Sequence, residues 1–324
     1  MKIARRDFLY LASSAVLSTF PRSAAAETYP ARPVHIVVGF PPGAASDINA
    51  RLIGQWLAEH TGQQFIVDNR PGAGSNIGTE AVAHAVPDGY TLLLVTPPNA
   101  INASLYADLN FNFLRDIAPV AGIMRTPMVM EINQALPVKT VAEFIAYAKA
   151  NPGKINFASS GNGTGSHVAA ELFKFMTGVD MIHVPYRGPA QALTDLISGR
   201  VQVMFDVLTS SMAHIRAGEV CALAVTTAAR STALPDLPTV AETVPGYESS
   251  GWAGVGAPKG TPADIIEVLN RDISASVTDA HIIAALGNLG AGPMPMSAPD
   301  FGKFLAEETE KWAKVVKFAN IKLD

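Results

Sequence analysis

Two glycine-rich turns, far apart in the chain, each stand between an apolar strand-like run and a helix-like segment. The first is Phe40-Pro41-Pro42-Gly43-Ala44-Ala45-Ser46-Asp47 and follows the run 34–38; the second is Ser159-Ser160-Gly161-Asn162-Gly163-Thr164-Gly165-Ser166-His167 and follows 155–158. A turn that opens a helix presents unpaired backbone N–H groups and the positive end of the helix dipole, so it holds an anion without any Arg or Lys. One such turn from each of two domains suffices to grip one small carboxylate.

The surrounding pattern supports two domains. The run 34–39 is continuously apolar, as a strand covered on both faces requires. Ile48, Leu52, Ile53, Trp56 and Leu57 follow at helical spacing, Gly62 closes that helix, and 65–67 and 91–95 read as strands. A third glycine-rich segment, 69–78, leads into a helix through 80–85 and reads as a close backbone approach to the cleft or to a neighbouring turn. An extended segment falls in 126–139, and the helix at 141–150 opens with Thr140 three residues before Glu143, a capping-box pattern. The rhythm then restarts, with strands at 155–158, 181–184, 201–205 and 221–226 and helices at 167–176 and 190–198. A strand at 252–257, a helix at 262–277 and an amphipathic helix at 309–320 complete the chain. Alternating strands and helices predict an α/β fold with a parallel sheet. We read 27–125 as the first part of domain one, 126–245 as domain two and 246–324 as a return segment. The crossings near 126 and 246 make a hinge, and the ligand cleft lies between the domains at the carboxyl ends of the strands.

Residues 1–26 read as an export signal: Lys2, Arg5 and Arg6 precede an apolar stretch from Phe8 to Phe20, and Ala24-Ala25-Ala26 offers a cleavage site. Arg5-Arg6-Asp7-Phe8-Leu9 fits a twin-arginine signal in part, and an ordinary secretory signal with two adjacent arginines is the alternative. Cleavage removes Lys2, Arg5, Arg6 and Arg22 against the single acid Asp7, moving the formal charge from −4 to −7. That balance argues against nucleic acid as a partner. Cys221 is the only cysteine and sits in a strand-like run, so no internal disulfide forms and an inert thiol is expected. The seven histidines show no His-x-His or His-Glu-x-x-His spacing, so neither a metal site nor any cofactor is expected.

Several side chains fall beside the expected cleft. Asp47 either caps its own helix or faces the ligand. Asp206 ends the strand 201–205 and either caps the next helix or reaches the cleft. Tyr186 and Arg187 follow the strand 181–184 in the equivalent place. Ser166 beside His167 reads as a helix start, since adjacent helical residues point apart. A proline at Thr164 is expected to delete one donor of the second turn.

The chain resembles the Bordetella uptake gene family, the substrate-binding proteins of tripartite tricarboxylate transporters. The resemblance rests on Tyr29-Pro30-Ala31-Arg32-Pro33, Asp68-Asn69-Arg70-Pro71-Gly72-Ala73-Gly74, Pro87-Asp88-Gly89-Tyr90-Thr91-Leu92-Leu93 and His183-Val184-Pro185-Tyr186-Arg187-Gly188. It continues through Ala224-Val225-Thr226, Leu234-Pro235-Asp236-Leu237-Pro238-Thr239-Val240 and Gly256-Ala257-Pro258-Lys259-Gly260-Thr261-Pro262. It implies a type II-like periplasmic binding protein of two α/β domains that closes on a ligand. It also implies a ligand carboxylate held by the turns matching 40–47 and 159–167, with Thr96 to Asn102 and Asp206 lining the same cleft. Two departures stand out. Ala44 replaces a usual glycine, which is strained if that position needs a positive φ, and Val207 replaces a frequent Asn.

The resulting ligand-binding set is Phe40, Pro41, Pro42, Gly43, Ala44, Ser46, Asp47, Thr96, Ser160, Gly161, Asn162, Gly163, Thr164, Gly165, His167, Tyr186 and Asp206. The expected function is capture of a small organic carboxylate in the periplasm by a monomer and its delivery to membrane permease subunits. Ligand sensing for a membrane receptor is the alternative, and a secreted enzyme using His167 or Asp206 as general base is a third reading.

Overall fold

The computed structural model describes residues 29–321; the expected export signal lies outside the described residues. Strand β1 (Val34–Val38) is buried at all but one residue, as its apolar run demands, and runs parallel to both β2 (Phe65–Asn69) and β3 (Thr91–Val95). Helices α1 (Ala45–Thr61) and α2 (Asn76–Ala83) make the connections. Helices α3 (Pro97–Leu105) and α4 (Phe113–Asp116) then lead into β4 (Ile117–Asn133), a strand of 17 residues.

β4 belongs to both lobes. Its first part, Ile117 to Pro127, pairs with β9 (Ser250–Pro258), and its second, Met128 to Asn133, pairs with β7 (Val203–Val207) and β8 (Val220–Val225). Helix α5 (Val141–Ala150) follows β4; β5 (Ile155–Ser159) runs parallel to β6 (Met181–Pro185) and β7, with α6 (Gly165–Thr177), α7 (Pro189–Ile197) and α8 (Leu208–Arg216) between strands. The strand order is β2-β1-β3-β9-β4-β7-β5-β6, with β8 and β10 (Gly292–Met296) also on β4. The sheet is therefore mixed, which corrects the all-parallel expectation: β4 runs against β7, β8 and β9, and β9 runs against β3. The βα rhythm covers only the strands within each lobe. The strands that carry the chain between lobes pair antiparallel, which needs no crossover helix.

Helices α9 (Ala263–Thr278), α10 (Ala280–Asn288) and α11 (Ala298–Ala319) finish the chain. Helix α11 starts well before the amphipathic segment read from the sequence; Ser297 caps it, accepting a hydrogen bond from Asp300 N–H. It packs against α3 of the first lobe and α6 of the second. One core lies under α1, α9 and α10 and holds Ile36, Ile53, Leu57, Ile273 and Leu286. A larger one joins both lobes through Phe157, Phe173, Phe205, Trp252, Phe301 and Trp312. Each such side chain contributes roughly 1.5–3 kcal/mol on burial. Among the described residues no helix is long and apolar enough to cross a membrane.

Candidate functional site

The first turn leaves donors free. Gly43 has φ +82, the left-handed geometry the turn requires, whereas Ala44 is extended at φ −66 and ψ 156 and carries no strain. Ala44 is the N-cap of α1 and has no side chain to cap with. Its own N–H donates to Pro41 O at 3.2 Å, and the first intrahelical bond runs from Ile48 N–H to Ala44 O. The N–H groups of Ala45, Ser46 and Asp47 have no acceptor among the described residues. Asp47 does not face outward to a ligand. Its carboxylate accepts from Gly43 N–H at 2.9 Å, Asn69 Nδ2 at 2.9 Å and Arg51 Nε at 3.0 Å. The Arg51 hydrogen bond, aided by Gly43 N–H, lowers its pKa to about 2. Asp47 braces the turn from within.

A cavity of about 340 Å³ opens beside these donors. Of the expected residues, Phe40, Ala44, Ser46 and Thr96 line it. Thr96 is the N-cap of α3, and its N–H donates to Asn99 Oδ1 at 2.7 Å. Asn99 in turn donates to Thr79 Oγ1 at 2.7 Å, and Asn102 donates to Gly74 O at 2.7 Å. The third glycine-rich segment thus supports the cavity wall from behind. Pro41, Pro42 and Gly43 are exposed and lie outside the lining.

Sequence reasoning missed Asn49, Met124, Thr126 and Trp252, which also line the cavity together with Val207. Asn49 is 4% exposed, and its carboxamide makes no hydrogen bond among the described residues. Its position one helical turn after Ser46 was the available signal. Trp252 is fixed by its indole N–H, which donates to Glu308 Oε2 at 2.9 Å. Trp312 donates to the same oxygen at 3.0 Å. Among the described residues no charged side chain lines the cavity.

The second turn is elsewhere. None of its residues lines the cavity; Gly163 instead abuts Leu105 at the far end of α3. Much of its donor set is already engaged. Ser160 N–H donates to Ser166 Oγ at 2.8 Å, Gly161 N–H to Ser159 Oγ at 3.2 Å and Gly163 N–H to His167 Nδ1 at 3.0 Å. Thr164 N–H donates to Gly161 O at 3.3 Å, so a proline at Thr164 would delete an internal bond rather than a free donor. The N–H groups of Asn162, Gly165, Ser166 and His167 have no acceptor among the described residues.

His167 is buried and stacks on His183, and burial lowers its pKa to about 3. Tyr186 donates its hydroxyl to Asp195 Oδ2 at 2.8 Å; burial first, then the Asp195 hydrogen bond, raises its pKa to about 12. Asp206 is 2% exposed and does not line the cavity; its neighbour Val207 does. Nor does Asp206 cap α8, whose N-cap is Val207. Glu131, wholly buried, lies near Asp206 and accepts from Ser211 Oγ at 2.7 Å. Burial raises Glu131 to about 8 and Asp206 to about 6, with Asp206 adding to the effect on Glu131. One oxygen of each, Glu131 Oε2 and Asp206 Oδ2, has no hydrogen-bond partner among the described residues.

Known proteins match this architecture. The family model described as tripartite tricarboxylate transporter family receptor matches residues 49–321. BugT of Bordetella pertussis is 38% identical, with 92% of each chain covered. The UPF0065 protein in the tcbD-tcbE intergenic region of Pseudomonas sp. strain P51 is 38% identical over 97% of this chain and 94% of its own. Among solved structures, R. palustris Rpa4515 with adipate is 40% identical at TM-score 0.76, covering 91% of this chain and 99% of that one. A Polaromonas TctC solute-binding protein with no ligand is 27% identical at TM-score 0.81, covering 90% and 99%. MatC from Rhodopseudomonas palustris with bound malate is 31% identical at TM-score 0.73, covering 89% and 100%.

Proposed function

Because the chain belongs to the tripartite tricarboxylate transporter receptor family, we propose that it captures a small organic carboxylate between its lobes in the periplasm. Acting as a monomer, it then delivers that ligand to the membrane permease subunits of such a transporter. The observation that carries this reading is the free donor set of Ala45, Ser46 and Asp47 at a neutral cavity, where an anion gains both hydrogen bonds and the dipole end of α1. Neighbours solved with adipate and malate support a carboxylate.

The lobes divide at 126 and 246, close to where β4 exchanges β9 for β7 and β8. Closure about these crossings brings the second turn, with the N–H groups of Asn162, Gly165, Ser166 and His167, over the first. One observation favours an open cleft here: the second turn stands apart from the cavity. The ligand draws the protein toward the closed state by its higher affinity for it.

Members of this family are receptors, not enzymes, and the residues agree with that. His167 is buried with Nδ1 occupied by Gly163 N–H, and Asp206 is sealed away from the cavity. Calorimetry of refolded, ligand-free protein against a panel of carboxylates tests the proposal. Binding of one or more acids with loss of affinity on blocking the α1 donors is expected; a folded protein that binds none overturns it.

A further inference from the structure

Asn49 and Thr126 both line the cavity beside α1, are only 4% and 7% exposed, and make no side-chain hydrogen bond among the described residues. They come from different elements. Asn49 lies one turn along α1 from Ser46, on the face that opens on the cavity with the free N–H groups of Ala45 and Ser46. Thr126 lies on β4 beside the crossing between lobes, where it pairs with Gly251 of β9. Gly251 has no side chain to lay over it: a Cβ there would stand 4.0 Å from Thr126 Oγ1. The hydroxyl is left open to the cavity. Neither side chain is what its element calls for. Asn is a poor helix former, and Val suits a buried strand position as well as Thr does. A buried polar group without a partner costs stability, which a ligand repays and the fold does not.

We propose that Asn49 and Thr126 are the side chains that select the ligand: Asn49 contacts the carboxylate seated on the α1 donors, and Thr126 reads a second oxygen group on the same molecule, a hydroxyl, an oxo group or a further carboxylate. This rests on the reading of the cavity as the carboxylate site and adds the residues that discriminate there. A carboxamide and a hydroxyl are neutral and both donate, so each pairs with a carboxylate, and the Thr126 hydroxyl also accepts from a hydroxyl substituent. Because β4 runs through both lobes, Thr126 keeps its place at the crossing while the second turn closes over the cavity. The free N–H groups of Asn162, Gly165, Ser166 and His167 therefore add to the two side chains and do not replace them. An acid with bare hydrocarbon beside Thr126 strips that hydroxyl of water and leaves it unpaired. A site built around a polar contact rejects the analogue that lacks it in this way.

Titration calorimetry on refolded protein tests this with two pairs of acids matched in chain length, malate against butyrate and adipate against hexanoate. The tighter of malate and adipate is expected to bind at least about tenfold better than its monocarboxylic partner. Thr126→Val keeps the shape and the strand preference of Thr. It is expected to weaken that acid about tenfold, to leave the monocarboxylate within about threefold, and to melt no lower than the wild type. Thr126→Ser, which keeps the hydroxyl, is expected to recover most of the affinity. Asn49→Leu is expected to weaken every acid that binds by about tenfold, and Asn49→Asp, which sets a like charge against the carboxylate, to weaken it further. Monocarboxylates that bind as tightly as their partners, or wild-type affinity in Thr126→Val, overturn the assignment of Thr126. Tighter binding by Asn49→Asp than by Asn49→Leu overturns that of Asn49. A variant that loses stability together with affinity marks a structural group and also overturns the proposal. Each of these results leaves carboxylate capture standing, whereas a folded wild type that binds none of the four acids overturns the underlying reading.

Discussion

His167 lies face to face with His183, their ring centroids 3.8 Å apart and their planes 9° from parallel. Phe157 packs against both rings, its centroid 4.8 Å from that of His183 and 6.1 Å from that of His167, and Ser159 Oγ is 2.6 Å from His183 Nε2. A stack this close does not hold two positive charges. Burial lowers His167 to about 3, with the His183 charge next in effect, and burial lowers His183 to about 4. Both are neutral in the folded state, while the unfolded chain takes up their protons near pH 6.5. Below that pH the unfolded state binds more protons, so stability is full above about 6.5 and falls as the pH drops toward 4. Urea midpoints measured from about pH 7 down to about pH 4 are expected to fall by the equivalent of a few kcal/mol. In His183→Gln, which retains an acceptor for Ser159, that fall is expected to shrink. An unchanged slope would count against the neutral pair.

Glu131 and Asp206 predict the opposite trend on the alkaline side. Burial keeps Glu131 protonated to about pH 8, whereas the unfolded chain releases that proton near 4.5. The folded state therefore binds more protons between those values, and stability declines as the pH rises through them. Glu131→Gln keeps an acceptor for Ser211 and removes the titration. It is expected to be more stable than the wild type at about pH 8, by on the order of 1–3 kcal/mol. Thermal unfolding of both proteins across the range reads this; a variant less stable at every pH refutes it.

Glu308 is the shared acceptor of two buried indoles, Trp252 and Trp312, and pairs with Lys311. Glu308→Ala leaves both N–H groups without a partner, and a loss of about 2–5 kcal/mol in unfolding free energy is expected. Because Trp252 forms a cavity wall, ligand affinity falls as well. Glu308→Gln, which keeps one neutral acceptor, is expected to recover part of both.

What the sequence revealed and what it hid divide along contact range. Both turns were legible because strand, glycine and helix follow one another locally. So was the cap of α5, where Thr140 Oγ1 accepts Glu143 N–H at 3.1 Å. The role of Asp47 was not: Arg51 lies one turn away and is visible in the pattern, but Asn69 comes from the end of β2. The donors of the second turn looked free because their acceptors, Ser166 Oγ and His167 Nδ1, are side chains whose direction a sequence does not give. The first half of α11 was hidden by Pro299 and Gly302, although Ser297 followed by an early proline marks a helix start. β10 alternates Pro with Met and forms only by pairing with β4.

The free donors can be removed one at a time without breaking a turn. Gly165 is the first helical residue of α6 after the extended N-cap Thr164, and a Cβ added there meets no atom within 4 Å. Proline is well tolerated in that place. Gly165→Pro is expected to keep the melting temperature and to weaken ligand binding about tenfold, the loss of one hydrogen bond to a charged group. Unchanged affinity would show that the second turn never reaches the ligand.

Ala44 offers the reverse test, in which the protein supplies its own anion. Its extended geometry, φ −66 and ψ 156, is that of an N-cap, yet its methyl group cannot accept from Ser46 or Asp47 N–H. Ala44→Asp places a carboxylate on those donors, and such a cap stabilises a helix by about 1 kcal/mol. The same carboxylate occupies the place proposed for the ligand. The variant is therefore expected to melt at a higher temperature and to bind carboxylates at least about tenfold more weakly. A side chain that merely crowded the turn would lower both stability and affinity. A gain of stability together with a loss of binding is the signature of competition for one set of backbone donors, and a variant that gains stability and still binds at wild-type affinity removes α1 from the site.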